Sequence, residues 1–399
     1  MWLTAEQAAG RLGVKAETLY AYVSRGLISS ERTPGERRSR YLRADVERLA
    51  ARQRGGGGRA GGLEIIVESS LTLLDPEGRL YYRGWDVEDA ARTSTFEAIA
   101  SWLWTGDRTP EPITASPELA RAVHQVTRGL SGTANVDRVR AVLAAIRTAD
   151  PLRHDRRPAA VAATGRSIIA AVVASLPLRQ EEATADAVAA RLWPRLTDRP
   201  PSRRDLEVLD ATLVLLADHE LAASTLAARV AASTWADPYL VVQAGLAALG
   251  GPLHGGASEE ARALVREVRD EGASAAEAIG ARLAGGRLVP GFGHRVYRHR
   301  DPRAEVLLDL LSTRRSSPTT RAVAEIVDTM AARELPFPNV DVALAHLAES
   351  AGMIEGAGEA IFAVARVVGW LGHAIEEYEH RLRFRPRAVY IGPAPAPAP

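Results

Sequence analysis

Val289-Pro290-Gly291-Phe292-Gly293-His294-Arg295-Val296-Tyr297-Arg298-His299-Arg300-Asp301-Pro302-Arg303-Ala304 is the stretch on which the reading of this chain turns. Two glycines around one aromatic describe a backbone that comes close to a ligand, and the histidine and arginines behind them bring positive charge to it. Alone, the segment could equally be a plain turn followed by a solvated basic face. Three other segments of the same kind stand around it: Ala217-Asp218-His219-Glu220, Gly251-Pro252-Leu253-His254-Gly255-Gly256-Ala257 and Pro336-Phe337-Pro338-Asn339-Val340-Asp341.

In order and spacing these four segments resemble the citrate synthase family. The resemblance begins near Leu63, where Leu71 to Asp86 looks like the family's opening hairpin around the turn Asp75-Pro76-Glu77-Gly78, and it ends at Arg385-Pro386-Arg387. It implies a mainly α-helical fold of two domains, a large one over residues 63–255 and 353–393 and a small one over 256–352, closing over a cleft. The implied activity is that of a transferase condensing acetyl-CoA with oxaloacetate and water to citrate and CoA, as in the tricarboxylic acid cycle.

A thioester methyl is too weak an acid to lose its proton to a carboxylate in water, so the enolate oxygen needs a placed donor while the base works. The resemblance assigns Asp341 as the base, His254 as donor to the thioester carbonyl and His294 as donor to the ketone of the 2-oxo acid, with Ser224 as partner of His254. Arg303, Arg366 and Arg385 match the guanidinium groups that grip a dicarboxylate, with His219 as a further contact. The family's last arginine reaches the neighbouring subunit's site, which implies a homodimer with composite sites. Val289, Pro290, Gly291, Phe292 and Gly293, through their backbone, and Arg298 and Asn339 match the coenzyme A side. Each residue also has a plainer reading: Asp341 as a helix N-cap, Arg366 as a bundle arginine bonded to carbonyls, His219 as a core histidine.

Four departures from the family pattern bear on substrate and turnover. Leu216 stands where many relatives have histidine, Ala222 where they usually have asparagine and Val342 where an aromatic commonly follows the aspartate, while Val136 to Ser175 lacks the usual His-Pro-Met segment. Propionyl-CoA, giving 2-methylcitrate, is the nearest alternative, to be decided by pocket volume near Val342 and Ala343. A DNA-binding regulator with a metabolite-sensing body is the alternative from another class; the intact Asp341, His254 and His294 speak against it.

Composition bounds the rest. There is no cysteine among 399 residues, so disulfides, thiolate catalysis and cysteine metal sites are excluded, and no histidine spacing suggests a metal; no cofactor is expected. Neither a signal core nor an uninterrupted membrane span is visible, which makes cytoplasmic residence the expectation. Residues 1–54 hold 11 Lys and Arg against 6 Asp and Glu, whereas the remainder is slightly acidic. The basic excess points to a polyanion partner for the N-terminus alone.

Within residues 1–54, Thr4-Ala5-Glu6-Gln7 reads as a capping box on a helix to Leu12, and a second helix carries Leu19, Tyr22 and Val23 to Gly26. Two extended pieces about Pro34-Gly35 and a helix from Asp45 to Gln53 complete a winged helix-turn-helix, similar to MerR-like and excisionase-like proteins. In that reading Tyr20, Ala21, Ser24 and Arg25 face the major groove of duplex DNA, and Arg37, Arg38 and Arg40 neutralise phosphates. Gly55 to Gly62 is a glycine-rich tether and Ala394 to Pro399 an alternating Pro/Ala tail. Further along, apolar runs predict helices over 206–216, 226–249 and 354–379, with Trp102 and Trp104 in a core.

Overall fold

The computed structural model describes residues 2–32, 39–54, 66–181, 185–251, 254, 256–312, 317–380, 382 and 384–385. The Gly55–Gly62 tether, the Pro34-Gly35 tip, Arg37, Arg38, Pro386, Arg387 and the Pro/Ala tail lie outside the described residues. The chain divides into two compact units, Met1–Glu68 and Ser69–Pro399.

In the first unit the expected capping box is present: the Gln7 amide donates to Thr4 Oγ1 at 3.2 Å and the Thr4 amide to Gln7 Oε1 at 3.0 Å. It starts the helix Ala5–Leu12, which Gly13 ends in the left-handed region. The helix Ala16–Ser24 follows with no side-chain cap at Lys15. Strands Ser30–Arg32 and Ser39–Leu42 pair antiparallel, and a third strand, Trp2–Leu3, joins the other edge of Ser39–Leu42. That third strand is two residues long, too short for any alternation to show in sequence. The helix Arg43–Arg54 closes a small core of Leu3, Ala8, Leu12, Leu19, Ile28, Tyr41, Val46 and Ala50.

The second unit opens with the expected hairpin, Thr72–Asp75 against Arg79–Tyr82, its turn held by Asp75 Oδ1 accepting from the Glu77 amide at 3.0 Å. A short strand, Trp85–Asp86, adds to it, and the described residues beyond are predominantly helical. At the centre lies the helix Ala357–Glu377, which packs against Phe96–Thr105, Pro158–Ser175, Arg203–Leu216, Ala223–Ser233 and Pro238–Leu249. It approaches its neighbours closely. A Cβ on Gly245 would sit 2.6 Å from two Trp370 ring atoms, so the Pro238–Leu249 helix can lie against that ring only as glycine.

One expectation about helices needs correction. The apolar run 226–249 is not one helix: Ala223–Ser233 ends before Trp235, whose φ of 63° breaks the spiral, and Asp237 caps Pro238–Leu249 through the Leu240 amide at 3.2 Å. Asp-Pro is a start signal that the apolar periodicity masks. Furthermore, Pro158–Ser175 and Ala357–Glu377 are long and apolar enough to cross a membrane by length and composition, although the latter window is 89% buried inside the protein, as befits a core helix.

A smaller core gathers Ala257–Asp270, Ala275–Ala284 and Pro318–Ala332 with Val289, Phe292, Val342 and Ala345. The stretch 256–352 contributes to both cores, because Pro302–Ser312 places Ala304, Val306, Leu307 and Leu311 in the larger one. The helix Val340–Ser350 straddles the two, with Val342 in the smaller core and Ala343, Leu344 and Leu347 in the larger. Residues that follow Asn339 are therefore held by both lobes.

Replacing Gly245 by alanine tests the close approach at Trp370. The added methyl has no space, so unfolding in urea is expected to show a loss of about 1–3 kcal/mol; an unchanged midpoint would show that the helices separate freely.

Candidate active site

Five chain segments deliver polar side chains to one neighbourhood between the cores. The helix Arg203–Leu216 ends in the turn Ala217–Glu220, which presents His219 with only 8% of its surface exposed. The His219 ring meets His294 edge to face at 5.2 Å, and its Nε2 lies 3.3 Å from the Tyr297 hydroxyl. His294 and Tyr297 are themselves 4.7 Å apart. Burial, then the nearby Arg303 and Arg366 guanidiniums and the other two histidines, push the His219 imidazole well below its ordinary pKa.

His294 is held in a defined state by the backbone. Its Nδ1 accepts from the Val296 and Tyr297 amides, both at 3.1 Å, so the ring proton must reside on Nε2. Burial and Arg303 lower its pKa to about 4. His254, in the turn after Gly251, places Nε2 2.9 Å from Ser224 Oγ and packs edge to face on Phe362 at 5.8 Å. Its pKa too is lowered to about 4, by burial and then by Arg366. Both imidazoles are neutral near pH 7.

The glycine loop and the aspartate are stitched together. The Gly293 amide donates to the Phe337 carbonyl at 2.7 Å, the Asn339 amide to Gly291 O at 2.9 Å and Asn339 Nδ2 to Gly293 O at 2.8 Å. Asn339 also caps the helix Val340–Ser350 by accepting from the Asp341 amide at 2.9 Å. The cap is thus Asn339, which leaves the Asp341 carboxylate free of that duty. Burial raises Asp341 to about 6, against the opposing pull of Arg303. Gly291 has φ 83°, and a Cβ there would meet Val342 Cβ at 2.7 Å, so only glycine permits this approach.

Two arginines face the same space. Arg366, 1% exposed on the central helix, donates Nε to the Leu216 carbonyl at 2.9 Å and lies 4.4 Å over the Phe362 ring, while its Nη1 and Nη2 have no partner among the described residues. Burial lowers its pKa to about 10, so it remains charged at neutral pH. Arg303, 4% exposed, gives Nε and Nη2 to Asp301 at 3.0 and 2.8 Å. Asp301 Oδ2 also accepts from the Val340 amide at 3.1 Å, tying the arginine to the helix that carries Asp341.

Other anticipated residues fall elsewhere. Val289 and Phe292 point their side chains into the smaller core, which leaves only backbone for a ligand. Pro290 is half-buried beside them, and Arg298 is exposed and pairs with Glu77 at 3.3 Å. Arg385 is exposed, with no hydrogen bond or ion pair among the described residues. Val342 and Ala343 are wholly buried, Val342 lying directly behind the Gly291 backbone. Ala222 is the N-cap of Ala223–Ser233 and supplies no side-chain acceptor, which is one local consequence of lacking asparagine there. Asp301, Tyr297 and Phe362 were not anticipated; the signal for Asp301 was its place one residue before Pro302 at a helix start. Among the described residues no cluster could hold a metal ion.

In the first unit, Tyr20, Ser24, Arg25 and Arg40 are exposed and Ala21 half-exposed, with Ser24 Oγ donating to the Ala21 carbonyl at 3.0 Å.

Comparison with known proteins covers both units. The family model described as citrate synthase, C-terminal domain, matches residues 62–387, and one described as helix-turn-helix domain matches residues 2–54. Citrate synthase 2 of Bacillus subtilis is 32% identical over 358 residues, covering 83% of this chain and 95% of that protein. A 2-methylcitrate synthase of Shewanella oneidensis is 29% identical, covering 82% and 93%. Among solved structures, the ternary complex of Thermoplasma acidophilum citrate synthase with carboxymethyl coenzyme A and oxaloacetate superposes with a TM-score of 0.70 at 28% identity, covering 84% of this chain and 96% of that one.

The electrostatics can be read directly by NMR with 15N-labelled histidine. His254 and His294 are expected to titrate near 4, and His294 to show the Nε2–H tautomer at pH 7. Because their folded pKa values lie below the unfolded value of 6.5, the two rings contribute stability that is lost as pH falls from about 6.5 through 4. Midpoints at the ordinary histidine value would contradict the geometry.

Proposed function

As the chain belongs to the citrate synthase family, we propose that it condenses acetyl-CoA with oxaloacetate and water to give citrate and CoA. The observation that carries this reading is Arg366: a buried, charged guanidinium with two nitrogens unpartnered among the described residues, facing neutral histidines and a carboxyl of raised pKa, suits the carboxylate of a 2-oxo acid. Oxaloacetate supplies two carboxylates and a ketone. Arg366, Arg303 and His219 hold the carboxylates, and Arg385 of a second copy completes the set across a homodimer.

The thioester methyl gives a proton to the Asp341 carboxylate while His254 donates to the thioester oxygen. For Nδ1 of His254 to be that donor, the Ser224 hydroxyl must donate to Nε2, which the 2.9 Å contact permits. The nucleophilic carbon then attacks the ketone carbon as His294 Nε2–H protonates the forming alkoxide. Water finally cleaves the thioester, releasing CoA. No metal or further cofactor takes part.

Coenzyme A release with purified protein, pairing acetyl-CoA or propionyl-CoA with oxaloacetate, tests the reading; faster release with propionyl-CoA would make the enzyme a 2-methylcitrate synthase instead. Asp341→Ala, His254→Ala and His294→Ala are each expected to lower turnover about a hundredfold or more. The base works ionised, so kcat/KM should fall as pH drops through about 6. Near-wild-type turnover in any of the three variants removes that residue from the mechanism.

The N-terminal unit is proposed to bind duplex DNA, on the support of its helix-turn-helix match, its positive excess and the exposed Tyr20, Arg25 and Arg40. A chain lacking residues 1–62 should keep citrate formation, whereas the full-length protein should bind duplex with an affinity that falls about one log unit per log unit of salt for each phosphate neutralised. Replacing Arg37, Arg38 and Arg40 should flatten that slope. No binding at low salt, or loss of synthase activity on truncation, overturns the division of labour.

A further inference from the structure

Behind the site, away from the reacting groups, runs a buried polar chain that the mechanism leaves unused. Arg229, fully buried on the helix Ala223–Ser233, donates Nε to Glu377 Oε2 at 3.0 Å, and its Nη1 lies 2.9 Å from Glu376 Oε2 and 2.8 Å from His373 Nδ1. His373 Nε2 in turn lies 3.2 Å from Asp218 Oδ2. Arg229, His373, Asp218 and Glu377 are all fully buried.

The geometry determines the state of the imidazole. A guanidinium nitrogen can only donate, so His373 Nδ1 must accept; the ring is then neutral, and its one proton sits on Nε2, directed at Asp218. Asp218 Oδ2 gathers two more donors, Thr72 Oγ1 at 2.6 Å and the Glu220 amide at 3.1 Å. Glu220 has φ 54°, a left-handed backbone that a non-glycine residue adopts only when held. On the other side of the turn the Asp218 amide donates to the Tyr82 hydroxyl at 3.1 Å. His219 lies between these two fixed points. The direction of its ring toward His294 and Tyr297 is therefore set from behind by the Asp218 carboxylate, and that carboxylate is held by His373.

We infer that His373, clamped between Arg229 and Asp218, is a positioning residue that aims His219 into the pocket for the oxo acid. The inference rests on the proposed synthase reading for the identity of that ligand. Without the His373 donor, a buried carboxylate loses one of its three hydrogen bonds, and the strained Glu220 turn loses the anchor that holds it. The acyl-CoA side of the site, stitched through Gly291, Gly293 and Asn339, shares none of these contacts.

The test compares His373→Leu, which fills the space without polar atoms, with His373→Gln, whose amide can accept from Arg229 and donate to Asp218. His373→Leu is expected to raise KM for oxaloacetate about tenfold, the effect of removing a buried hydrogen bond, while KM for acetyl-CoA stays within about twofold. His373→Gln should recover most of the loss. Oxaloacetate binding by titration calorimetry reads the same change without turnover. Thermal melting accompanies each variant, and if His373→Leu does not fold, Thr72→Val removes another donor from the same carboxylate and should shift oxaloacetate affinity in the same direction. Equal KM changes for both substrates, no change in folded His373→Leu, or a glutamine variant no better than leucine would each show that His373 is structural only. Wild-type protein that turns over normally beside an unaffected His373→Leu overturns this inference alone; wild-type protein that binds no oxaloacetate overturns the synthase reading together with it.

Discussion

The close packing of the helix Ala357–Glu377 against its neighbours is the constraint on which the site depends. This helix runs through the larger core and carries Arg366 and His373 seven residues apart, two turns along one face. Both reach the same turn at the end of Arg203–Leu216, Arg366 through the Leu216 carbonyl and His373 through Asp218. Gly369, between them, admits the turn: a Cβ there would lie 2.6 Å from the Ala217 carbonyl oxygen. Apolar packing thus fixes where charge can be placed, and the polar chemistry is built on a closely packed helix.

Two polarities meet at the site. On the larger core stand cationic and neutral donors, Arg366, His219 and His254; the helix that straddles both cores brings the carboxyl of Asp341 in its first turn. Asp301 joins them, because one carboxylate pairs with Arg303 and accepts the Val340 amide. The smaller core contributes backbone rather than side chains, with Val289 and Phe292 turned inward so that the glycine loop presents peptide groups. Such a division suits a reaction in which one substrate is held by charge and the other by shape.

Much of this was legible in the sequence. Gly291, His294, Asn339 and Asp341 stand in local motifs whose turn chemistry and charge are readable one segment at a time, and the Thr4-to-Gln7 capping box and the Asp75-to-Gly78 turn formed as their residues require. What could not be read depends on partners distant in sequence. The tautomer of His294 needed the backbone amides of Val296 and Tyr297 in place, the burial of Val342 needed Gly291 against it, and Asp218 meets Thr72 and His373 across 146 and 155 residues. The break at Trp235 was hidden by an apolar run that is continuous in composition but not in backbone.

Arg366 gives the site a thermodynamic character as well as a chemical one. Among the described residues nothing accepts from its Nη1 and Nη2, and a buried cationic donor without an acceptor costs stability. On the proposed reading, an anion that meets both donors adds its binding energy to folding, about 2.7 kcal/mol when the ligand stands at a hundred times its Kd. On that same reading the protein is most robust while its metabolite is abundant and most open to unfolding and proteolysis when the metabolite runs out, so that substrate supply governs how long the chain lasts as well as how fast it works.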